Sequence, residues 1–212
     1  NKIIKLNIDL IIDLQNSRRT MMYEFFFRLF LSAEINGTGF FATIRYKNIY
    51  NKLPSVVEGL SNQIEKLGVQ TRRKPFLNWL SDKSFDWGQV DNKKFIIINP
   101  GCSKNNYYKR WSERKYTEIC KFLILKKILP ILIGSKDDKN YIDFIVNHEN
   151  TVLDLCNKSP LNVIYQISKK AIGAISNDTG PAHLIAATGC NIHLILSSFS
   201  NIQTVIPQGS NV

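Results

Sequence analysis

Three loops carry the residue types that could handle a phosphate. The last of them, Ser176-Asn177-Asp178-Thr179-Gly180-Pro181-Ala182-His183, joins an apolar run to a helix-like segment. Gly180 allows a backbone to come close, and Pro181 starts a helix whose free amides point back at the loop. With the Thr179 hydroxyl, these form a cradle suited to a diphosphate. Asp178 cannot bind phosphate, but its carboxylate suits sugar hydroxyls. His183, one turn into the helix, is expected within reach of a phosphate oxygen. The same pattern also describes a capped turn with Asp178 or Thr179 as N-cap.

The first loop, Asn99-Pro100-Gly101-Cys102-Ser103, continues to Lys109-Arg110-Trp111. A glycine turn followed by two cations at a helix entrance can neutralise a pyrophosphate as it departs; alone, it reads equally as a solvated pair. Gly134-Ser135 and Ser159-Pro160 are weaker candidates, expected near a nucleoside or as caps and turns.

The elements that position these loops follow from the apolar pattern. Runs at Phe95–Ile98, Leu129–Ile133, Val152–Leu155, Ala171–Ile175 and Ile192–Leu196 are short and rich in β-branched residues, as buried parallel strands are. Helix-like segments lie between them: one after Ser112, one around Tyr141–Val146, one opening at Pro160, and one from Pro181 to just before Gly189. Strands alternating with helices imply an α/β, doubly wound, mostly parallel sheet, whose ligands sit at the carboxyl ends of the strands. Upstream, a strand is expected within residues 8–14, a helix from Thr20, a short strand at Ala42–Tyr46 and a helix at Val56–Leu67 closed by Gly68. The apolar stretch Met21–Ala33 is too short to span a bilayer and is expected to be a buried or amphipathic helix rather than a membrane-surface contact. The domain boundary is expected in the polar stretch 75–92, giving a partial first domain, 1–90 with a linker at about 75–90, and a second domain, 91–212.

Bulk properties exclude several classes. Hydrophobic residues at 44% and charged residues at 21% describe an ordinary globular chain. The net charge of +11 invites nucleic-acid binding, yet residues 1–90 carry a net +5 and 91–212 a net +6, so no basic tail or stripe stands out. No nucleic-acid partner is expected. Cys102, Cys120, Cys156 and Cys190 lack C-x-x-C spacing and sit among apolar residues, which reads as buried free thiols in a reducing cytoplasm. No G-x-G-x-x-G follows any expected strand, which disfavours a Rossmann oxidoreductase.

The ordered series Asn99-Pro-Gly, Lys109-Arg-Trp, Ile133-Gly-Ser, Lys158-Ser-Pro-Leu and Ser176-Asn-Asp-Thr-Gly-Pro-Ala-His resembles the donor half of glycosyltransferase family 9, the ADP-heptose:lipopolysaccharide heptosyltransferase type, over roughly residues 93–207. The Asp9-to-Thr20 stretch more weakly resembles that family's acceptor domain. The resemblance implies a GT-B architecture of two Rossmann-like domains, the N-terminal one incomplete. It also implies inverting, metal-independent transfer of a heptose or related sugar from a nucleotide diphosphate, with the ADP-sugar a substrate and no cofactor. The acceptor would be a lipid-linked oligosaccharide of lipopolysaccharide-core type, used by a monomer in the cytoplasm, peripheral at the inner membrane. On this basis Lys109 would neutralise donor phosphates with Arg110 and Ser103 beside it. Thr179 and Gly180 would bind those phosphates, Asp178 would hold sugar hydroxyls and His183 would support the loop. Ser159, Gly134 and Ser135 would lie near the nucleoside. The family's general-base aspartate has no counterpart here, since Asp9 and Asp13 belong to a later strand. The chain is therefore expected to bind donor and to transfer poorly. The alternative is a nucleotide-sugar-binding module or degenerate homologue without transfer activity.

Overall fold

The computed structural model describes residues 6–47, 56–71, 75–81, 85–102, 108–198, 206–207 and 209. The chain divides into two compact units, 1–73 and 74–212. The division falls just before the stretch expected as a linker. Phe85 and Trp87 pack edge to face, 4.7 Å apart, against the core that includes Val90, so this stretch belongs to the second unit.

In the second unit, strands β4 (Phe95–Asn99), β5 (Leu129–Gly134), β6 (Leu153–Cys156), β7 (Gly173–Asn177) and β8 (Ile192–Ile195) form one parallel sheet in the order β6-β5-β4-β7-β8. Alternation along the strands divides the core. Ile98 and Leu132 face helices α3 (Glu113–Leu125) and α4 (Lys139–His148), where Tyr116, Cys120, Ile142 and Ile145 are buried. Ile97, Ile131 and Ile133 face the opposite side, against Ile164 and Ile167 of α5 (Leu161–Lys170) and Ile185 of α6 (Gly180–Ala187). The sheet is thus doubly wound, and the chain order reverses between β4 and β7, the crevice where such sheets take ligands. All four cysteines are free and buried.

In the first unit, β1 (Leu10–Ile12), β2 (Glu34–Gly37) and β3 (Ile44–Arg45) form a parallel sheet in sequence order, with α1 (Arg18–Phe30) joining β1 to β2 and α2 (Val56–Glu65) following β3. Ser17 caps α1 in a reciprocal box with Thr20. The carboxyl edge of this sheet is tied by amides. Gln63 donates to the Asp13 carbonyl (2.8 Å) and to Asn36 (2.9 Å), while Asn16 donates to Gln63 (2.7 Å).

Helix α1 departs from the sequence expectation. Its buried residue is Glu24, while Met22, Phe26, Leu29 and Phe30 are exposed, the last two at 60% and 61%. The expectation was a buried or amphipathic helix with its apolar face inward; the carboxylate took the inward position because its side chain fills the space left by two glycines. A Cβ on Gly37 or Gly39 would fall 2.3 or 2.0 Å from a Glu24 oxygen.

Candidate functional site

The carboxyl ends of β4, β5 and β7 and the loop after β6 enclose a cleft of about 580 Å³, lined among others by Gly101, Cys102, Gly134, Ser135, Ser159, Leu161, Ile164, Thr179 and Gly180. Gly134, Ser135, Ser159, Thr179 and Gly180, expected from sequence, are therefore brought together. Ile133 and, from α5, Leu161 and Ile164 give the cleft an apolar wall, while Asn99, Thr179 and, after β5, Ser135, Asp137 and Asp138 supply polar groups.

At the rim the two outer loops meet. Lys109 Nζ donates to Asp178 Oδ2 at 2.7 Å, with 19% of the lysine side chain and 9% of the aspartate exposed. That bond holds the lysine pKa above its usual value, so the ammonium stays charged. Beneath the pair, the loops are fixed by buried side chains. Asn99 donates to Ser176 Oγ (2.8 Å) and Thr179 Oγ1 (2.7 Å). Asn177 donates to the Pro100 carbonyl (2.8 Å) and accepts from the fully buried Tyr116 hydroxyl (2.9 Å).

Helix α6 begins with Thr179 as N-cap, yet no side chain caps it. In its first turn Pro181 has no N–H and the Ala182 amide donates to the Thr179 carbonyl at 3.1 Å, which leaves the Gly180 amide to a ligand or to water. A Cβ on Gly180 would meet nothing within 4 Å, so the protein itself does not require glycine there. Thr179 fills the capping position only by its backbone, because its hydroxyl is engaged by Asn99.

Several of the expected side chains are engaged by the protein itself. Arg110 does not stand beside Lys109 as a second phosphate cation: it donates to Asp138 Oδ1 at 2.6 Å and to the Cys102 carbonyl at 3.3 Å, and its guanidinium lies 5.3 Å from the Tyr141 ring centre. Ser135 donates to Asp138 through both backbone (2.9 Å) and hydroxyl (2.7 Å), and is engaged in capping the turn that leads to α4. His183 is exposed on α6 and makes no hydrogen bond to its loop among the described residues. Ser159 donates to the Leu155 carbonyl at 3.1 Å. Ser103 lies outside the described residues.

Asp138, expected only among the turn positions after β5 that could line a nucleoside pocket, turns out to tie the loops together through Arg110. Buried to 5% exposure, it also accepts from the Cys102 amide at 3.1 Å and so joins the β4 loop to the β5 loop. Its signal was present as the spacing Ser135-x-x-Asp138, a capping box. Cys102 forms part of the wall, and burial pushes its thiol pKa up against the pull of Arg110 and Lys109.

The family model described as glycosyltransferase family 9 (heptosyltransferase) matches residues 52–192. The chain belongs to glycosyltransferase family 9. Among solved structures this family 9 chain resembles a glycosyl transferase family 9 protein from Veillonella parvula DSM 2008 (TM-score 0.69, 20% identity, 90% of this chain and 57% of that one). It also resembles E. coli ADP-heptose lps heptosyltransferase II (0.68, 16%, 97% and 67%). A third likeness is to E. coli heptosyltransferase WaaC with ADP (0.72, 16%, 97% and 65%). At these identities the likeness establishes the α/β fold of the GT-B heptosyltransferases. The chain spans 57% of the first structure's length. Among curated proteins none matches.

Proposed function

We propose that the cleft between β4 and β7 binds the nucleoside diphosphate of a sugar donor, ADP-linked heptose or a related sugar, for inverting transfer to a lipid-linked oligosaccharide of lipopolysaccharide-core type. The observation that carries this reading is the Lys109–Asp178 pair at 2.7 Å beside the uncapped start of α6. A cation, a carboxylate and the Gly180 amide then meet at one point. Bound donor would draw the lysine onto the diphosphate and release the carboxylate to sugar hydroxyls, while the Gly180 amide and the positive end of α6 hold a phosphate oxygen. The nucleoside would lie on Leu161 and Ile164.

On this proposal the charge on the departing diphosphate is met by Lys109 and the Gly180 amide rather than by a metal, and no cofactor is needed. Inversion also requires a base to take the acceptor hydroxyl's proton, whose loss typically slows such reactions by about 10²–10⁴-fold. Asp138 and Asp178 are each held by a cation, and neither is assigned that part. A lipid-linked acceptor would set a peripheral monomer to work at the cytoplasmic face of the inner membrane.

Calorimetry with ADP, UDP and GDP sugars tests the reading. One of them should bind and be competed by its free nucleoside diphosphate, unchanged by EDTA. Absence of binding by all three would remove the donor assignment.

A further inference from the structure

We infer that Asp178 makes the site discriminate between a nucleoside diphosphate that carries a sugar and one that does not: it holds Lys109 while the site is empty, yields it to the sugar-bearing ligand, and reclaims it from the bare product. This reading rests on the donor site proposed above and deepens it by giving product release to a particular side chain.

The pair is closed on itself. Asp178 Oδ2 accepts from Lys109 Nζ at 2.7 Å, and among the described residues neither side chain has a second hydrogen-bond or ion-pair partner. The neighbouring cation cannot take the lysine's place, because Arg110 is held by Asp138 at 2.6 Å. Nor can the carboxylate withdraw with its loop. Asp178 stands between Asn177, which donates to the Pro100 carbonyl and accepts from the Tyr116 hydroxyl, and Thr179, whose hydroxyl accepts from Asn99 at 2.7 Å. Only 9% of the aspartate side chain is exposed, so water reaches it poorly.

A diphosphate that takes Lys109 therefore strands a largely buried carboxylate beside its own negative charge, which is unfavourable. Sugar hydroxyls on the terminal phosphate remove that penalty by donating to Asp178. A bare nucleoside diphosphate brings only phosphate oxygens to the same point. Its apparent affinity is reduced to the fraction of molecules in which the lysine is free, and a charge-assisted bond of this kind sets the reduction at about tenfold. Once the sugar has moved to the acceptor, Asp178 has lost its hydroxyls and recaptures Lys109, which drives the product out. Release steps of this kind often limit turnover.

The test is calorimetry of ADP and ADP-heptose with wild type, Asp178→Asn, Lys109→Ala and the double variant, each checked for the wild-type melting temperature. Wild type should prefer ADP-heptose. Asp178→Asn should strengthen ADP about tenfold and reduce that preference, a gain that structural damage would not produce. In the Lys109→Ala background the same substitution should no longer strengthen ADP. The inference alone is overturned if wild type binds ADP at least as tightly as ADP-heptose, if Asp178→Asn leaves ADP affinity unchanged or lower, or if ADP gains equally without Lys109, which would mean plain repulsion between carboxylate and phosphate. If wild type binds neither ligand, the donor reading falls and this inference with it.

Discussion

The two units each present the carboxyl edge of a parallel sheet, and the two edges handle buried charge in opposite ways. At the carboxyl ends of β4, β5 and β7 the buried carboxylate and amide side chains have partners: Asp138 has Arg110, Ser135 and the Cys102 amide, and Asn177 has Tyr116 and two carbonyls. At the edge of β1 and β2, Gln63, Asn36 and Asn16 satisfy one another, but both oxygens of Glu24 lack a hydrogen-bond partner. Burial, and then the nearby Asp13, raise the pKa of Glu24, against the Gly39 backbone and Arg45. A satisfied network fixes loop positions to fractions of an ångström, as a ligand site needs. An unsatisfied buried carboxylate costs stability whenever it ionises.

The comparison breaks most forcefully at Asp138. Asp138→Ala leaves the Arg110 guanidinium without its carboxylate inside the second unit and should cost about 3–5 kcal/mol in denaturant unfolding. A loss below about 1 kcal/mol would mean that the loops are held by other contacts. Tyr116→Phe removes the donor to Asn177 Oδ1 and nothing else of size, and should cost about 1–2 kcal/mol in the same measurement.

Glu24→Gln sharpens the contrast from the other side. Because the folded-state pKa is raised, the stability Glu24 contributes is fully present below its unfolded value, near 4.3, and is lost as pH rises through the folded one. The glutamine variant should therefore be more stable than wild type at pH 7 and show no advantage at pH 4. Thermal melts at the two pH values decide it. The smallest effect on stability is expected at Gly180→Ala, where the new methyl meets open space. Its melting temperature should match wild type, while donor affinity falls about tenfold as the methyl enters the phosphate cradle.

How far the residues announced this outcome differs between the units for a physical reason. The strands of the second unit are buried on both faces, so Phe95–Ile98 and Leu129–Ile133 are visible as apolar runs and end within a residue of the observed strands. Pro160 and Pro181 mark the starts of α5 and α6, and Gly189 takes a positive φ of 87° just past the end of α6. In the first unit β2 reads Glu34-Ile35-Asn36-Gly37, with a single large apolar residue to signal it, and it was missed. Its stability comes from Asn36 and Gln63 reaching across 27 residues, a contact no local pattern encodes. Within the site, the meeting of the Lys109 and Asp178 loops followed from their place at one carboxyl edge of a parallel sheet. The diversion of Arg110 to Asp138 did not, because neighbouring cations look alike until a buried carboxylate selects one.

The central claim is that the Lys109 turn and the start of α6 serve one diphosphate. It is tested most directly by titrating ADP and adenosine into wild type and Lys109→Ala. Loss of one charge-assisted contact of about 1.5–3 kcal/mol should weaken ADP by roughly tenfold to more than a hundredfold and leave adenosine unchanged. Equal losses for both ligands, or none for ADP, would contradict it.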